Sequence, residues 1–174
     1  MTPKEIDDKL VIPEEDKVTS IKISEAEYIY NFIKEHDIKK TLEIGFGYAR
    51  SASNIMAASE CKHIVIDPFQ ANYQYIGLKN IEKLGLQNLL DFRNDYSHNI
   101  LPKLLEKKQS FKFIFIDGDH KYDGISIDFY YSDLLLENEG YILLHDTWMR
   151  STQLVMSFIK KNRNDYIKLK TPLR

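Results

Sequence analysis

Short apolar runs alternate with longer amphipathic stretches along most of the chain. Five runs predict buried strands: Thr41–Ile44, His63–Ile66, Leu89–Phe92, Phe111–Ile116 and Tyr141–Leu144. Near-continuous apolar strands that alternate with helices are typical of a parallel sheet covered on both faces. The pattern therefore predicts an α/β fold of the Rossmann-like, doubly wound type, with a mostly parallel sheet and helices on both faces.

The stretches between these runs predict the helices and the ends of the domain. They predict helices over Ser51–Ser59, Tyr75–Leu84, Leu101–Lys107, Gly124–Leu136 and Thr152–Lys161, and a short last strand over Tyr166–Leu169. Ser24-x-x-Glu27 is typical of a capping box, so a first helix is expected to begin at Ser24. Residues 1–20 are polar and contain two prolines, which indicates a loose N-terminal arm or a lid over the site. With no linker or repeat, residues 1–174 are expected to form a single domain.

Composition restricts the classes of partner and compartment. Lysine and arginine number 24 and aspartate and glutamate 26, which gives a net charge of −2 and no sign of a nucleic-acid-binding surface. No apolar run reaches the length of a membrane span, and the polar, acidic N-terminus is unlike a secretory signal. Cys61 is the only cysteine, so an intrachain disulfide is excluded. These features predict a cytoplasmic protein without a membrane or nucleic-acid partner.

The segment Glu43-Ile-Gly45-Phe-Gly47 joins the first strand to the helix after it. Glycines there allow a tight turn and the close approach of a ligand, and the helix N-terminus favours negative or polar ligand groups. Asp67 ends the second strand about 20 residues later, where such folds hold a ribose by its hydroxyls. Arg50 replaces the third glycine of a dinucleotide fingerprint, and Glu43 suits the amino group of a cationic amino-acid moiety better than a pyrophosphate.

Acidic residues recur where the predicted strands end. Glu43, Asp67, Asp117 and Asp146 lie at the ends of the first, second, fourth and fifth strands, and Asp95 closely follows the third. Ligands of open α/β sheets bind outside the carboxyl ends of the strands. Five acids at one rim therefore predict a functional site there.

With these residues in place, the chain resembles the class I S-adenosylmethionine-dependent methyltransferases. The resemblance is greatest to a small bacterial branch that is similar to cephalosporin hydroxylase-like and macrocin O-methyltransferase-like proteins. The segments that carry it are Thr41–Ser51 (TLEIGFGYARS), Ile66–Gln70 (IDPFQ), Phe113–Tyr122 (FIFIDGDHKY) and Gly140–Trp148 (GYILLHDTW). Their order and spacing cover roughly residues 40 to 150.

The resemblance implies S-adenosylmethionine as the cofactor. The residues implied to bind it are Glu43, Gly45, Gly47, Asp67, Asp95, Tyr96 and Asp117. Asp67 would accept hydrogen bonds from both ribose hydroxyls, and Asp95 would lie near the adenine. For Asp95 a cap on the helix that follows is an equally weighted alternative.

Methyl transfer to a hydroxyl requires alignment of the reactants and removal of a proton. The resemblance to the metal-dependent catechol-type methyltransferases implies Asp117, Asp146 and Thr147 as ligands of Mg²⁺ or another divalent cation, with threonine at a position that is asparagine in those enzymes. It also places His120 at the position of the base, so His120, Asp117 and Asp146 are the predicted catalytic residues. His145 is interpreted either as a core histidine or as a ligand or base.

The expected function is methyl transfer from S-adenosylmethionine to an oxygen of a small molecule or sugar. Two alternatives stay open: an NAD-dependent oxidoreductase on a similar fold, and a degenerate, non-catalytic nucleoside-binding module. The resemblance implies a sixth strand and an antiparallel seventh strand beside the fifth, and the chain up to Arg174 ends just after a possible sixth. If the seventh strand is missing, the fifth strand has an open edge. A homodimer that covers this edge is the corresponding prediction.

Overall fold

A computed structural model describes residues 1–17 and 20–171, so Val18 and Thr19 of the predicted arm lie outside the described residues. The strands are β1 (Thr41–Ile44), β2 (His63–Ile66), β3 (Leu90–Arg93), β4 (Phe111–Ile116) and β5 (Leu136–Leu144). The helices are α1 (Pro3–Asp7), α2 (Ile23–Glu35), α3 (Arg50–Ser59), α4 (Ile76–Leu84), α5 (Ser97–Glu106), α6 (Tyr122–Leu135) and α7 (Arg150–Asn162), with a short 3₁₀ turn at Glu14–Asp16.

The strands form one sheet in the order β3-β2-β1-β4-β5, and all four pairings are parallel. The chain runs outward from β1 to β3, returns through α5 to β4 beside β1, and then adds β5 on the other side. The point where the strand order reverses lies between β1 and β4, which is where ligands of such sheets bind. The predicted α/β fold with a parallel sheet is confirmed.

Alternate residues of the strands point to opposite faces of the sheet, and each face is covered by helices. On one face Leu42, Ile44, Ile64, Ile66, Ile114 and Ile116 pack with Leu101 of α5, Ile125 and Phe129 of α6 and Val155 of α7. On the other face Val65, Phe113 and Phe115 pack with residues of α1, α2, α3 and α4. This two-sided packing confirms the doubly wound architecture.

The described part of the N-terminal arm is held against the domain, and its alternative role as a lid over the site stays a prediction. Ile6 of α1 is fully buried in the core under α3 and α4, because the short helix turns its one large aliphatic side chain inward. Asn80 of α4 holds the following segment: its Oδ1 accepts from the Val11 amide at 2.9 Å and its Nδ2 donates to the Val11 carbonyl at 2.9 Å. The segment therefore packs against the first half of the domain.

Two predictions of local structure are wrong in detail. The helix predicted near Ser24 is α2, which begins at Ile23. The carboxylate of its capping box belongs to Glu25 and not to Glu27, and it accepts from the Lys22 amide at 2.7 Å. The predicted strand at Tyr166–Leu169 is irregular chain. Tyr166 donates its hydroxyl hydrogen to Asp133 of α6 at 2.7 Å, so the segment packs on a helix and adds no strand.

Within the described ranges the sheet ends at β5, and no strand pairs with its outer edge. β5 begins directly where α6 ends, and its pairing with β4 is irregular between Phe111 and Phe113. The proposed homodimer across this edge stays a prediction. No helix among the described residues is both long enough and apolar enough to cross a membrane.

Candidate functional site

The loop between β1 and α3 lies directly against the end of β4. Gly45 has a φ of +97°, and a Cβ atom built on it would be 2.1 Å from the carbonyl oxygen of Asp117. Two backbone hydrogen bonds hold this geometry: Gly45 donates to Ile66 at 2.9 Å, and Asp117 donates to Ile44 at 2.8 Å. Glycine is required at 45 both by the backbone conformation and by the lack of space. Gly47 also has a positive φ, of +48°, but faces open space.

Asp67 holds this loop from the end of β2. Its Oδ2 accepts from the amides of Phe46 at 2.8 Å and Gly47 at 3.2 Å, and its Oδ1 accepts from the Phe69 amide at 2.6 Å. The side chain is only 4% exposed. The structure thus brings Asp67 next to both predicted glycines, and its predicted contact with ribose hydroxyls remains a prediction.

Glu43 points into the core and not toward the rim. Its Oε2 lies 2.8 Å from Nε2 of His63, its Oε1 accepts from the Ser51 hydroxyl, and Nδ1 of His63 lies 2.9 Å from the Thr41 hydroxyl. Burial raises the pKa of Glu43, against the opposing effect of its bonds to His63 and Ser51. Both carboxylate oxygens are thus engaged inside the protein, which does not support the predicted contact of Glu43 with a cofactor.

The predicted catalytic residues do come together. Nε2 of His120 lies 2.7 Å from Oδ2 of Asp146 and 4.0 Å from Oδ1 of Asp117. One donor atom from each of these three side chains lies within 4.8 Å of the other two, a separation that a single cation can bridge. Two carboxylates and an imidazole are chemically suitable ligands for Mn²⁺ and similar divalent cations, and the carboxylates for Mg²⁺. The residues present therefore fit the implied metal. Thr147, the third implied ligand, directly follows Asp146 and is exposed, and its contact with a metal remains a prediction.

His145 lies behind this cluster and is surrounded by acids. Its Nδ1 is 3.0 Å from Asp117 and 3.4 Å from Asp146, and its Nε2 is 3.5 Å from Glu25 of α2. Burial lowers its pKa, but the three carboxylates outweigh burial and raise the pKa to about 9. His145 is therefore a cation at neutral pH and reduces the repulsion between the carboxylates.

Asp146 is held in an unusual backbone conformation with a φ of +45°. Its Oδ1 accepts from the Trp148 indole at 2.9 Å. Burial raises the pKa of Asp146, but the charge of His145 and the bonds from Trp148 and His120 lower it more, so the carboxyl is ionised at neutral pH. A left-handed conformation is uncommon for a non-glycine residue, and aspartate is among the residue types that adopt it more readily. Asp146 is one of eight such residues in the part of the chain that the structure describes.

Asp95 lies two residues before α5. Its Oδ1 accepts from the Tyr96 amide and from Nδ2 of Asn99, each at 2.8 Å. These bonds lower the pKa of Asp95. The cap residue of α5 is Tyr96, which makes no side-chain capping bond, so a cap role for Asp95 also remains a prediction. Tyr96 is about half exposed, and its ring packs edge-on against Phe69 with 5.8 Å between the centroids. The adenine contacts of Asp95 and Tyr96 remain predictions.

Sequence reasoning missed several residues that build the site. Glu25 reaches His145 from a helix 120 positions earlier in the chain, and no local pattern signals that contact. His63 was read only as the start of a strand, although its register opposite Thr41 brings it to Glu43. The arm also contributes, since Asp7 lies 2.8 Å from the Arg50 guanidinium and Asp16 accepts from the Tyr48 hydroxyl.

The chain is similar in sequence and fold to known proteins. Caffeoyl-CoA O-methyltransferase 1 of Eucalyptus globulus is 34% identical over 99 residues, a stretch that covers 55% of this chain and 40% of that protein. Caffeoyl-CoA O-methyltransferase 5 of Nicotiana tabacum is 32% identical over 100 residues, which cover 55% of this chain and 41% of that protein. The chain thus matches only about two fifths of the length of these curated relatives.

Solved structures match over more of the chain. The O-methyltransferase from Bacillus cereus, solved with S-adenosylhomocysteine, has a TM-score of 0.72 and 16% identity over 92% of this chain and 86% of that one. TomG of Streptomyces achromogenes, solved with S-adenosylmethionine, has a TM-score of 0.70 and 14% identity over 92% of this chain and 84% of that one. These likenesses show the fold. The family model described as "Methyltransferase domain" matches residues 42–147, which include β1 to β5 and the acidic rim. The chain therefore belongs to this methyltransferase domain family.

Proposed function

We propose that this chain is an S-adenosylmethionine-dependent methyltransferase that acts on an oxygen of a small molecule or sugar. The observation that carries the proposal is that the glycine loop and the cluster of predicted catalytic residues lie side by side at the carboxyl ends of the strands. The glycine loop held by Asp67 adjoins the backbone of Asp117, and the side chain of Asp117 lies beside His120 and Asp146. The relatives named for O-methylation support the same chemistry. The small bacterial branch suggested by the sequence remains a prediction.

Bound at this rim, S-adenosylmethionine would supply a methyl group on a positively charged sulfur. The acceptor oxygen would attack the methyl carbon in line as the carbon–sulfur bond breaks, with S-adenosylhomocysteine as the leaving group. The residues around it would orient the reactants, and correct alignment contributes much of the rate of such a transfer. The glycine loop would allow close approach of the cofactor, and Asp67 would accept from its ribose hydroxyls. Asp67 already accepts from two loop amides, so ribose binding and loop position would depend on the same carboxylate.

His120 is the proposed base. A neutral imidazole has one nitrogen with a free lone pair, and because Nε2 donates its hydrogen to the ionised Asp146, that lone pair is on Nδ1. The ring can use this lone pair either to take a proton or to bind a cation. The side chain is 45% exposed, and its Nε2 lies 2.7 Å from Asp146, a geometry that orients the ring and leaves it open to an acceptor. We therefore assign to His120 removal of the acceptor hydroxyl proton, and to Asp117 and Asp146, with the predicted Thr147, the binding of a divalent cation. A cation bound there would lower the pKa of an acceptor hydroxyl.

The first prediction concerns the cofactor. S-adenosylhomocysteine should bind the purified chain, and Asp67→Asn should weaken that binding about 10- to 100-fold because a charge-assisted acceptor is lost. Calorimetric titration measures this, with NAD titrated in parallel. Asp123→Asn, which removes the same charge from an exposed position of α6, is the matched control and should bind as the unmodified chain does. A folded protein that binds neither nucleoside would instead be a non-catalytic scaffold, and preferential binding of NAD would favour an oxidoreductase.

A second prediction concerns the metal. Mn²⁺ should bind the cluster, and Asp146→Asn should weaken its binding at least about tenfold, since affinity for such cations follows the charge of their oxygen ligands. Electron paramagnetic resonance of free Mn²⁺ measures the bound fraction. Asp119→Asn removes a charge in the same loop but outside the cluster, and it should have little effect. His120→Ala should also leave Mn²⁺ binding nearly unchanged; a comparable loss in that variant would make His120 a ligand and remove it as the base.

A further inference from the structure

Gln70 is a buried side chain to which the proposed chemistry assigns no role. It lies in the loop between β2 and α4 and is 0% exposed. Its Nε2 donates to the Gly47 carbonyl at 2.8 Å, while its Oε1 has no hydrogen-bond partner among the described residues. Only the nitrogen of an amide can donate to a carbonyl, so this contact fixes which way the side chain lies. A polar atom buried without a partner costs free energy, so an amide at this position calls for an explanation.

The packing of α4 brings its backbone close to this amide. A Cβ atom built on Gly77 of α4 would lie 2.8 Å from Oε1 of Gln70 and 2.5 Å from the Gly47 carbonyl oxygen. The Gln70 side chain is thus enclosed between the helix and the glycine loop. An apolar side chain of similar size would avoid the unpartnered oxygen, but it could not donate to Gly47. The hydrogen bond to Gly47 is therefore what glutamine provides here and an apolar residue would not.

The segment that follows β2 holds both backbone groups of Gly47. The Gly47 amide donates to Oδ2 of Asp67 at 3.2 Å, and the Gly47 carbonyl accepts from Gln70, three residues further along the same segment. Glycine has more accessible backbone conformations than any other residue, so its conformation depends on such contacts. No atom lies within 4 Å of a Cβ atom built on Gly47, so a ligand can approach the backbone on that side.

The bond from Gln70 also sets the direction of the next amide. The described chain contains no cis peptide bond, and in a trans peptide the N–H points opposite to the C=O. Because the Gly47 carbonyl points to Gln70, the N–H of Tyr48 points away from that buried side chain. Without the bond from Gln70 the peptide between Gly47 and Tyr48 could rotate, and both of its polar groups would change direction.

We propose that Gln70 is a positioning residue for the cofactor. By holding the Gly47 carbonyl, it keeps the peptide between Gly47 and Tyr48 in the orientation that S-adenosylmethionine binds. Gln70 acts through the loop and does not touch the cofactor itself, since its side chain is fully buried. The inference rests on the proposed function, because it assumes that the cofactor lies against the glycine loop.

The test replaces the donor atom of Gln70 with an acceptor of nearly the same shape. In Gln70→Glu the new carboxylate, ionised at pH 8.5, can only accept and faces the Gly47 carbonyl oxygen. The affinity for S-adenosylhomocysteine, measured by calorimetry, should fall at least about tenfold, the scale of one lost hydrogen bond. Burial raises the pKa of the new carboxyl group, which takes up a proton as the pH falls and can then donate to Gly47. At pH 5.5 the affinity should recover to within about threefold of that of the unmodified chain.

Gln70→Met is the comparison, because it keeps the size of the side chain but cannot donate at any pH. Its affinity should stay about tenfold below that of the unmodified chain at both pH values. Recovery in Gln70→Glu alone is the result that a merely structural role would not produce. Asp67 lies in the same segment, but it is present in every protein, so its own titration cancels when affinities are compared at the same pH. Gln87→Glu, at an exposed position beyond α4, is the matched control and should bind as the unmodified chain does.

Circular dichroism at the pH of each titration shows whether a variant is folded. A folded Gln70→Met variant with the affinity of the unmodified chain would overturn this inference alone. So would a Gln70→Glu variant whose affinity, relative to the unmodified chain, does not rise as the pH falls. An unmodified, folded chain that does not bind S-adenosylhomocysteine would overturn the proposed function and this inference with it.

Discussion

The Gly45→Ala variant should lose at least about 3 kcal/mol of its free energy of unfolding, the sum of a strained backbone and an overpacked contact. At a φ of +97° an L-residue is strained whatever its surroundings, and the new methyl group would lie 2.1 Å from the Asp117 carbonyl oxygen. That oxygen belongs to the backbone, so relief requires β1 and the end of β4 to separate. Because Asp117 follows directly on β4, the variant should also disrupt the cation cluster.

Urea unfolding followed by circular dichroism measures this loss. Gly47→Ala is the matched control, since Gly47 has a φ of +48° and no atom within 4 Å of a built Cβ. Its cost should be only about 1 kcal/mol, the price of a left-handed alanine. Equal losses in the two variants would show that the backbone angle alone matters and that the close approach of the two loops does not.

The second large effect is expected at the buried pair of Glu43 and His63. His63→Ala should cost about 3–5 kcal/mol, because it leaves the Glu43 carboxylate in the core without its main partner. The two side chains are 1% and 0% exposed and lie 2.8 Å apart. Glu43→Gln should cost far less, about 1 kcal/mol, because the amide still bonds to His63 and Ser51.

The pH dependence of the stability loss in His63→Ala shows whether the loss comes from an unpaired Glu43 charge or only from the cavity that the substitution leaves. Burial already raises the pKa of Glu43 above its unfolded value, and loss of His63 removes a contact that lowers it. The charged form is therefore disfavoured in the folded state, a penalty that is present at high pH and is relieved as Glu43 takes up a proton. The loss in His63→Ala should shrink between pH 8 and pH 5. The control is His98→Ala, at an exposed histidine, which should change the free energy of unfolding by no more than about 0.5 kcal/mol. If the loss in His63→Ala does not depend on pH, Glu43 is not a buried unpaired charge in that variant.

The sequence was sufficient to predict the strands and the rim. Apolar runs predicted all five strands to within a residue at their carboxyl ends, because strands buried on both faces leave an unmistakable local pattern. Asp67, Asp117 and Asp146, which follow β2, β4 and β5, were also predicted at this edge, since parallel strands place such positions together, whereas Glu43 lies within β1 and points into the core. Local sequence is enough to predict a structural feature when that feature depends on residues close together in the chain.

Side-chain direction was harder to predict because it depends on contacts between distant segments. Glu43 seemed to face a ligand, yet the register that sets Thr41 opposite His63 provides it with a partner in the core. No local pattern marks Glu25, yet its carboxylate lies 3.5 Å from Nε2 of His145. The apolar residues of Tyr166–Leu169 resembled a strand, but Tyr166 found a partner on α6.

The contacts of Asn80 have a consequence for how the domain opens. Its side chain bonds to both backbone groups of Val11 and also donates to the Tyr48 carbonyl at 3.0 Å, just beyond the glycine loop. The Val11 amide can exchange its hydrogen with solvent only after its hydrogen bond to Asn80 breaks. When the Asn80 side chain moves away, the Tyr48 carbonyl loses its hydrogen bond as well. The N-terminal segment and the glycine loop are thus one cooperative opening unit, so whatever orders the loop also slows hydrogen exchange in a segment more than thirty residues away in sequence.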